Sequence, residues 1–372
     1  MNLDVTDFGA SAERLLRGAP PPRRKRKVLA VLAVVFLLFS TVAGVWLQMK
    51  SSGLDTRPLS AEDPGPLEVA VPVTTTDSAG RTTTTTPTTA QGENRIRPVS
   101  SGEENILVIG TDTREGQTSE TRGDSHGAGL ADVILLVNIP ADRSGATVVS
   151  IPRDTMVAVP RCRNPETGRT WPAEDLVQVN ETTQRGGAGC TVATVERLSG
   201  MRMTHYALVN FDAVVALSDE VGGVTVTLDE PLNDDVLDFH LDAGPHELEG
   251  IDALNFLRSR HGVGGGDLNR IRDQHLFLGA LAEKLQTTGV LLNPAKLNSL
   301  ASVLIENVQF DDGLGSVQAI AGLAASLASV PASEIEFTHL PVREWSQNRN
   351  RLEVIESDAS ELWASMSGSS RR

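Results

Sequence analysis

The chain has 372 residues, of which 40% are apolar, so it is long enough to bury a sizeable core. Its 48 acidic residues outnumber its 33 basic residues, which gives a formal net charge of -15 at pH 7. This acidity argues against a nucleic-acid-binding protein, because duplex binding relies on a broad basic surface. An anionic ligand would therefore have to be bound locally, by clustered arginines or by a metal ion.

The N-terminal part has the pattern of a membrane anchor. A basic segment at residues 1–27 leads into residues 28–48, which carry no charge. About 20 apolar residues cross the hydrocarbon core, and basic residues on the N-terminal side keep that end in the cytoplasm. We therefore predict one transmembrane helix, with the rest of the chain outside the cytoplasm. A cleaved signal peptide is the alternative, although its apolar run is normally shorter, about 7 to 15 residues.

Residues 49–103 are rich in Thr, Pro, Ser and Gly, with ten threonines between Thr74 and Thr89. Such a segment buries too little apolar surface to fold, so we predict a disordered tether between membrane and domain. The last residues, 368–372, are expected to be a short tail.

Residues 104–367 are predicted to form one α/β domain. Apolar, β-branched runs predict central strands, and apolar residues at three- and four-residue spacing predict helices. The predicted strands are residues 105–110, 132–139, 147–151, 224–228 and 335–340, and the predicted helices are residues 191–198, 211–221, 250–258, 269–285, 316–329 and 359–367. Strands separated by helices indicate a mixed central sheet with helices on both faces.

Two carboxylates lie near the ends of adjacent predicted strands. Asp112 follows the first strand, and Asp132 opens the second. Open α/β sheets bind ligands at the carboxyl ends of their strands, and two carboxylates suit a hard divalent cation, Mg²⁺ or Mn²⁺, that also takes phosphate oxygens. Taken alone, the pair also fits the ordinary occurrence of Asp in turns.

Pro152 ends the third predicted strand, so Arg153 and Asp154 are expected to emerge on the same rim. Asp154 has two possible roles there. It could orient Arg153 through an ion pair, which we favour, or it could act as a general base toward an incoming hydroxyl.

A cluster of four arginines, Arg258, Arg260, Arg270 and Arg272, lies within fifteen residues of this acidic chain. Arginine presents a planar, permanently charged fork that binds phosphate or carboxylate through two hydrogen bonds. The cluster therefore predicts a ligand with several negative charges. The alternative is a solvated face with scattered ion pairs.

The two cysteines, Cys162 and Cys190, both follow the predicted membrane segment. In an oxidising compartment a disulfide is the expected state. A pair of metal ligands is the weaker alternative, because histidine is absent at ligand spacing from either cysteine.

The order of these motifs resembles that of the LytR-CpsA-Psr family of bacterial cell-envelope proteins. The matching segments are residues 105–114, 132–139, 150–155, 209–212, 222–226, 258–260 and 267–274. The cysteine pair is similar to that of some actinobacterial members. The chain departs from the family pattern at Leu130 and Asp273, where arginine is usual, and at Gln178, where many relatives have lysine.

The resemblance implies a Mg²⁺- or Mn²⁺-dependent phosphotransferase that moves a glycopolymer from a polyprenyl-pyrophosphate carrier in the membrane to peptidoglycan. It also implies an apolar tunnel for the lipid. By position, Asp112 and Asp132 match the metal-associated aspartates. The positions that match pyrophosphate-binding residues are Arg153, Arg258, Arg260, Arg270 and Gln274, with Arg114 or Arg122 as a substitute for the arginine missing at Leu130. A polyprenyl-pyrophosphate pyrophosphatase and a non-catalytic polyprenyl-phosphate-binding protein remain alternatives.

Overall fold

The computed structural model describes residues 56–57, 59, 73–76, 82–85, 96–111, 129–165, 167–259, 267–287 and 294–366. The predicted membrane segment at residues 28–48 lies outside them. Within these described ranges, no helix is both long enough and apolar enough to cross a bilayer.

The helices and strands of the described residues follow one another in a mixed order. The strands are β1 (Thr56–Arg57), β2 (Val73–Thr76), β3 (Thr82–Thr85), β4 (Glu104–Thr111), β5 (Ala131–Ile139), β6 (Ala146–Ser150), β7 (Met156–Val159), β8 (Cys162–Arg163), β9 (Thr170–Trp171), β10 (Glu174–Gln178), β11 (His205–Val209), β12 (Val224–Leu228), β13 (Leu232–Asp234), β14 (Phe239–Leu241), β15 (Gly244–Leu248), β16 (Val308–Asp311), β17 (Ile335–His339), β18 (Val342–Trp345) and β19 (Asn348–Val354). The helices are α1 (Thr182–Ser199), α2 (Phe211–Glu220), α3 (Gly250–Arg258), α4 (Asp267–Thr287), α5 (Pro294–Asn307), α6 (Val317–Ala328) and α7 (Glu356–Met366).

A seven-stranded mixed sheet forms the centre of the domain, in the order β1-β16-β11-β4-β5-β6-β17. Strand β4 is antiparallel to β5 and parallel to β11, and β17 is parallel to β6. The prediction of an α/β fold with a mixed central sheet is therefore confirmed.

Alternate residues of β4 are buried on opposite faces of this sheet, as the period of a strand requires. Leu107 and Ile109 belong to a core that includes residues of α1 and α7. Ile106 and Val108 contact a second core, to which Leu323 of α6 contributes. Both faces are thus covered by helices, which explains why the sequence of β4 is almost continuously apolar.

The carboxyl end of β4 meets the amino end of β5. Thr111 pairs with Ala131 and Gly110 pairs with Val133, so the register shifts at Asp132. A Cβ atom on Gly110 would lie 2.9 Å from the Cβ of Val133, so this close approach requires glycine. Thr111, which precedes Asp112, therefore lies next to Ala131, which precedes Asp132. The sequence predicted a site at this end of the two strands.

Several elements differ from the predictions. Helix α1 begins nine residues before the predicted start at residue 191, and it contains non-helical backbone at Gly186 and Gly187. Strand β11 and helix α5 were not predicted. Residues of the predicted tether also contribute to the domain, since β1 pairs with β16 and the N–H of Arg97 donates to the carbonyl of Gly200 at 2.7 Å.

Candidate functional site

A cavity of about 460 Å³ lies at the end of the sheet where β4 ends and β5 begins. Its volume is within the range of small-molecule sites, about 300 to 1,000 Å³. Apolar walls come from the sheet and from α2, α3 and α4, for example Val108, Leu135, Val209, Val214, Leu254 and Leu278. Asp132, Arg258, Arg270 and Gln274 also line it. The fold therefore brings four of the predicted site residues into one apolar cavity.

Arg153 lies between two carboxylates beside this cavity. Its guanidinium forms an ion pair with Asp132, and its Nε lies 3.6 Å from Oδ2 of Asp154. The chain turns directly after β6, where the N–H of Thr155 donates to the carbonyl of Pro152 at 3.0 Å. This turn places Arg153 and Asp154 on one rim, as the position of Pro152 suggested.

The carboxylate of Asp154 has further cationic and polar neighbours. Gln178 donates to its Oδ1 at 2.8 Å, and a guanidinium nitrogen of Arg351 lies 3.8 Å from the same oxygen. The backbone of the next residue, Leu352, donates to the carbonyl of Asp154 at 3.0 Å. Because both carboxylate oxygens face donors or cations, this geometry fits the orienting role for Asp154 better than that of a general base.

Helix α4 presents Arg270, Asp273 and Gln274 on its buried side, as their spacing of three and four residues allows. Arg270 donates to the carbonyl of Asp132 at 3.1 Å, and Gln274 donates to the carbonyl of Leu257 at 3.3 Å. Arg272 instead has 72% of its side chain exposed. The arginine cluster therefore contributes Arg270 to the cavity, whereas Arg272 faces solvent.

Arg258 ends helix α3 and lines the cavity. Its guanidinium lies 4.7 Å from the centre of the Phe211 ring. Such stacking on an aromatic face stabilises a cation and restricts its orientation. Phe211 begins α2, whose first turn is capped by the side chain of Asn210. Both Phe211 and Asn210 line the same cavity.

Three predicted site residues, Asp112, Arg114 and Arg260, lie outside the described residues, as does Arg122. Within the described ranges, a cluster of three or more histidine, cysteine or acidic side chains suited to a metal ion is absent. Of the two proposed metal-associated aspartates, only Asp132 can therefore be described.

Cys162 and Cys190 form a disulfide with a Cα–Cα distance of 5.5 Å. The predicted disulfide is thus confirmed, and the alternative of a metal pair is wrong. The bond joins β8 to α1, and a Cβ atom on Gly186 would lie only 2.9 Å from the Cβ of Cys190. Just before α1, the N–H of Asn180 donates to the carbonyl of Arg153 at 3.3 Å. The disulfide therefore ties β8 to the helix that follows this segment.

His275 follows Gln274 on α4 and contacts the end of β6. Its Nε2 lies 2.7 Å from Oγ of Ser150, and its ring centre lies 5.3 Å from that of Phe337. Burial of the ring, with a smaller contribution from the neighbouring His339, lowers the pKa of His275 to about 4. The imidazole is therefore neutral at pH 7.

Three residues of this region could not be predicted as part of the site. Asp234, at the end of β13, lines the cavity and accepts a hydrogen bond from Ser259 at 3.1 Å. Arg351 comes from the hairpin of β18 and β19, and Gln178 was noted only as a departure from a family pattern. The local sequence of Asp234 and Arg351 carries no signal, because their partners Ser259 and Asp154 lie far away in the chain.

At one end of the mixed sheet, an apolar cavity is thus combined with arginine and carboxylate groups, a combination that suits an amphiphilic anion. Residues 70–368 match the model of the LytR_cpsA_psr family. The chain belongs to this family, as the order of its motifs indicated.

Two relatives illustrate the similarity in sequence. The chain is 30% identical over 266 residues to the cell wall biosynthesis protein LcpA of Corynebacterium glutamicum, covering 64% of this chain and 51% of the relative. It is 28% identical over 234 residues to the polyisoprenyl-teichoic acid–peptidoglycan teichoic acid transferase TagU of Oceanobacillus iheyensis, covering 62% and 66%. The chain spans about half the length of the Corynebacterium relatives that it matches.

Solved structures share the fold. The crystal structure of TagV from B. subtilis has a TM-score of 0.54 at 22% identity and covers 72% of this chain and 97% of its own. A LytR-Csp2A-Psr enzyme from Actinomyces oris has a TM-score of 0.53 at 22% identity and covers 84% and 96%. The similarity in sequence to the Corynebacterium proteins agrees with the resemblance to actinobacterial members.

Proposed function

We propose that the chain is a phosphotransferase that moves a glycopolymer from a polyprenyl-pyrophosphate carrier to peptidoglycan. The observation that carries the proposal is the cavity in which Asp132, Arg258, Arg270 and Gln274 adjoin apolar walls. Guanidinium and amide groups match the oxygens of a pyrophosphate, and apolar walls match a polyprenyl chain. Family membership and the transferase names of relatives such as TagU support the same reaction class.

In this reaction a sugar hydroxyl of peptidoglycan attacks the phosphorus that carries the glycopolymer, and the bond to the lipid phosphate breaks. Phosphoryl transfer requires little covalent help from the protein, but it requires alignment and neutralisation of charge. The pairing of Arg153 with Asp132 and the stacking of Arg258 on Phe211 fix two guanidinium groups before the substrate arrives. Such preorganised charges are more effective than groups that must reorient during the reaction.

We propose Mg²⁺, or Mn²⁺, as the cofactor. The carboxylate of Asp132 lines the cavity with 25% of the side chain exposed, and Arg153 engages its Oδ1 atom. Magnesium takes one or two carboxylates together with water and phosphate oxygens, so this carboxylate and that of Asp112 fit its requirements. When bound, the metal would neutralise charge on the pyrophosphate oxygens.

We further propose that residues 28–48 anchor the protein in the cell membrane by a single helix, with the N-terminus in the cytoplasm and the described domain outside. The lipid carrier and peptidoglycan are then both accessible to the domain. The disulfide between Cys162 and Cys190 supports this location, because disulfides persist in oxidising compartments.

The proposed reaction can be tested with the full-length chain in detergent and a polyprenyl-pyrophosphate glycan as substrate. We expect release of polyprenyl phosphate, together with transfer of the glycan to peptidoglycan, only when Mg²⁺ or Mn²⁺ is present. Release without any dependence on peptidoglycan would instead identify a pyrophosphatase. Binding of the lipid without turnover would identify a non-catalytic binding protein.

A pair of arginine variants tests the placement of the site. Arg258→Ala removes a guanidinium that lines the cavity, whereas Arg272→Ala removes one with 72% of its side chain exposed. We expect a loss of about tenfold or more in turnover for the first variant, because the proposed charged hydrogen bond to the pyrophosphate is lost, and wild-type turnover for the second. Equal turnover in both variants would contradict the proposed site.

A further inference from the structure

The turn between β13 and β14 is held by the buried carboxylate of Asp234. This residue is 7% exposed, and its Oδ1 accepts hydrogen bonds from the N–H groups of Val236 at 3.1 Å and Leu237 at 3.0 Å. An aspartate that bonds to the backbone two and three residues later is a common way to fix a tight turn. One oxygen of Asp234 thereby sets the conformation of the hairpin tip.

The other oxygen of the same carboxylate holds the segment that carries Arg258. Oδ2 of Asp234 accepts a hydrogen bond from the hydroxyl of Ser259 at 3.1 Å, and Ser259 is 0% exposed. The N–H of Ser259 donates to the carbonyl of Asn255 at 2.9 Å, so this residue closes helix α3. Asp234 therefore joins the hairpin tip to the end of the helix directly after Arg258.

Both joined segments line the cavity. Val236 and Leu237 contribute from the hairpin, and Leu257 and Arg258 contribute from the helix. Val236 is also 94% exposed, so the hairpin tip lies where the cavity opens to solvent. The hydrogen bond between Ser259 and Asp234 thus fixes the apolar residues at the opening, Val236 and Leu237, relative to the guanidinium of Arg258.

We propose that Asp234 is a positioning residue, which holds Ser259 and thereby orients Arg258 toward the anionic part of a ligand in the cavity. This inference rests on the proposed function, since it assumes a pyrophosphate as that part. A carboxylate is costly to bury unless hydrogen bonds compensate it, and here the turn and Ser259 both do so. A guanidinium whose backbone is fixed loses less conformational freedom when it binds an anion, which increases affinity.

The test measures the affinity of the full-length protein in detergent for inorganic pyrophosphate with Mg²⁺, by isothermal titration calorimetry. Ser259→Ala removes the hydroxyl but leaves the turn bonds of Asp234. We expect affinity to fall about threefold to tenfold, as for the loss of one ordered side chain. Asp234→Asn should weaken binding in the same direction. Asp238→Asn makes the same charge change at a fully exposed side chain of this hairpin and should leave affinity unchanged.

A second comparison separates positioning from general stabilisation. In an Arg258→Ala background, Ser259→Ala should weaken pyrophosphate binding no further, because its effect passes through Arg258. An equal loss in both backgrounds would overturn the proposal. So would wild-type affinity in Ser259→Ala and Asp234→Asn, even if their melting temperatures fell.

Measurements on the wild-type protein distinguish a failure of the inference about Asp234 from a failure of the proposed function. If the wild type neither binds pyrophosphate nor releases polyprenyl phosphate from the glycan substrate, the proposed function is wrong, and the inference about Asp234 is wrong with it. If the wild type binds pyrophosphate and the variants bind equally well, only the inference is wrong.

Discussion

Removing the disulfide between Cys162 and Cys190 should lower the stability of the domain by an amount that the loop length predicts. The cysteines are separated by 28 residues, and both are fully buried. In the chain-entropy model, opening a loop of this length costs about 3.5 kcal/mol. For a domain of this size each kcal/mol corresponds to about 2 to 4 °C, so the melting temperature should fall by about 7 to 14 °C.

Scanning calorimetry of the oxidised protein, the reduced protein and the Cys162→Ala/Cys190→Ala double variant measures this effect. Alanine is the appropriate replacement, because a serine hydroxyl at either buried position would need a hydrogen-bond partner. Reductant should lower the melting temperature of the wild type and leave that of the double variant unchanged. A decrease of less than about 2 °C in the reduced wild type would refute the reasoning that the bond restricts the unfolded chain.

Three further predictions concern the surroundings of the site. Arg351→Ala removes the cation 3.8 Å from Asp154 and should lower release of polyprenyl phosphate about twofold to fivefold, whereas Arg349→Ala, at an exposed position of the same strand, should not. Because the folded state holds the pKa of His275 at about 4, the unfolded chain binds more protons below pH 6.5, and stability falls as the pH falls. After allowance for solvent screening, the wild type should lose about 1 kcal/mol more than His275→Gln between pH 7.5 and 5.5 in urea titrations; equal losses would contradict the assignment. Gly110→Ala places a Cβ atom 2.9 Å from that of Val133 and should destabilise by about 1 to 3 kcal/mol in the same titrations, whereas Gly322→Ala, where a Cβ atom meets no neighbour within 4 Å, should not destabilise.

Elements with strong local signals were predicted well from the sequence. Strand β12 and helix α3 have the predicted bounds, because a pair of glycines precedes the first and an apolar period marks the second. Strand β11 was missed although it lies beside β4 in the central sheet, since the run is short and four of its five residues, all except Tyr206, are only partly buried. Its place in the sheet comes from pairing with distant strands, which a short run of sequence does not specify.

The residues of the site likewise fall into two groups, those that the sequence predicted and those that it did not. Asp132, Arg258, Arg270 and Gln274 could be predicted because each belongs to a motif with a recognisable order, and the fold brings them into one cavity. The groups that hold them were not predictable from such motifs. Asp154 meets Arg351, and Ser259 meets Asp234, only through the packing of hairpins that lie far from these motifs in the sequence.

Acidic residues contact an arginine of the site in this chain, whose net charge is -15. Arg153 lies between the carboxylates of Asp132 and Asp154, and Arg270 donates to the carbonyl of Asp132. A guanidinium carries five N–H donors in a fixed, planar fork, a shape that matches an anion such as phosphate. Since orientation is achieved before binding, little conformational freedom is lost when the ligand arrives. On the proposed function, the carboxylates around Arg153 therefore help to position a cation that binds the pyrophosphate.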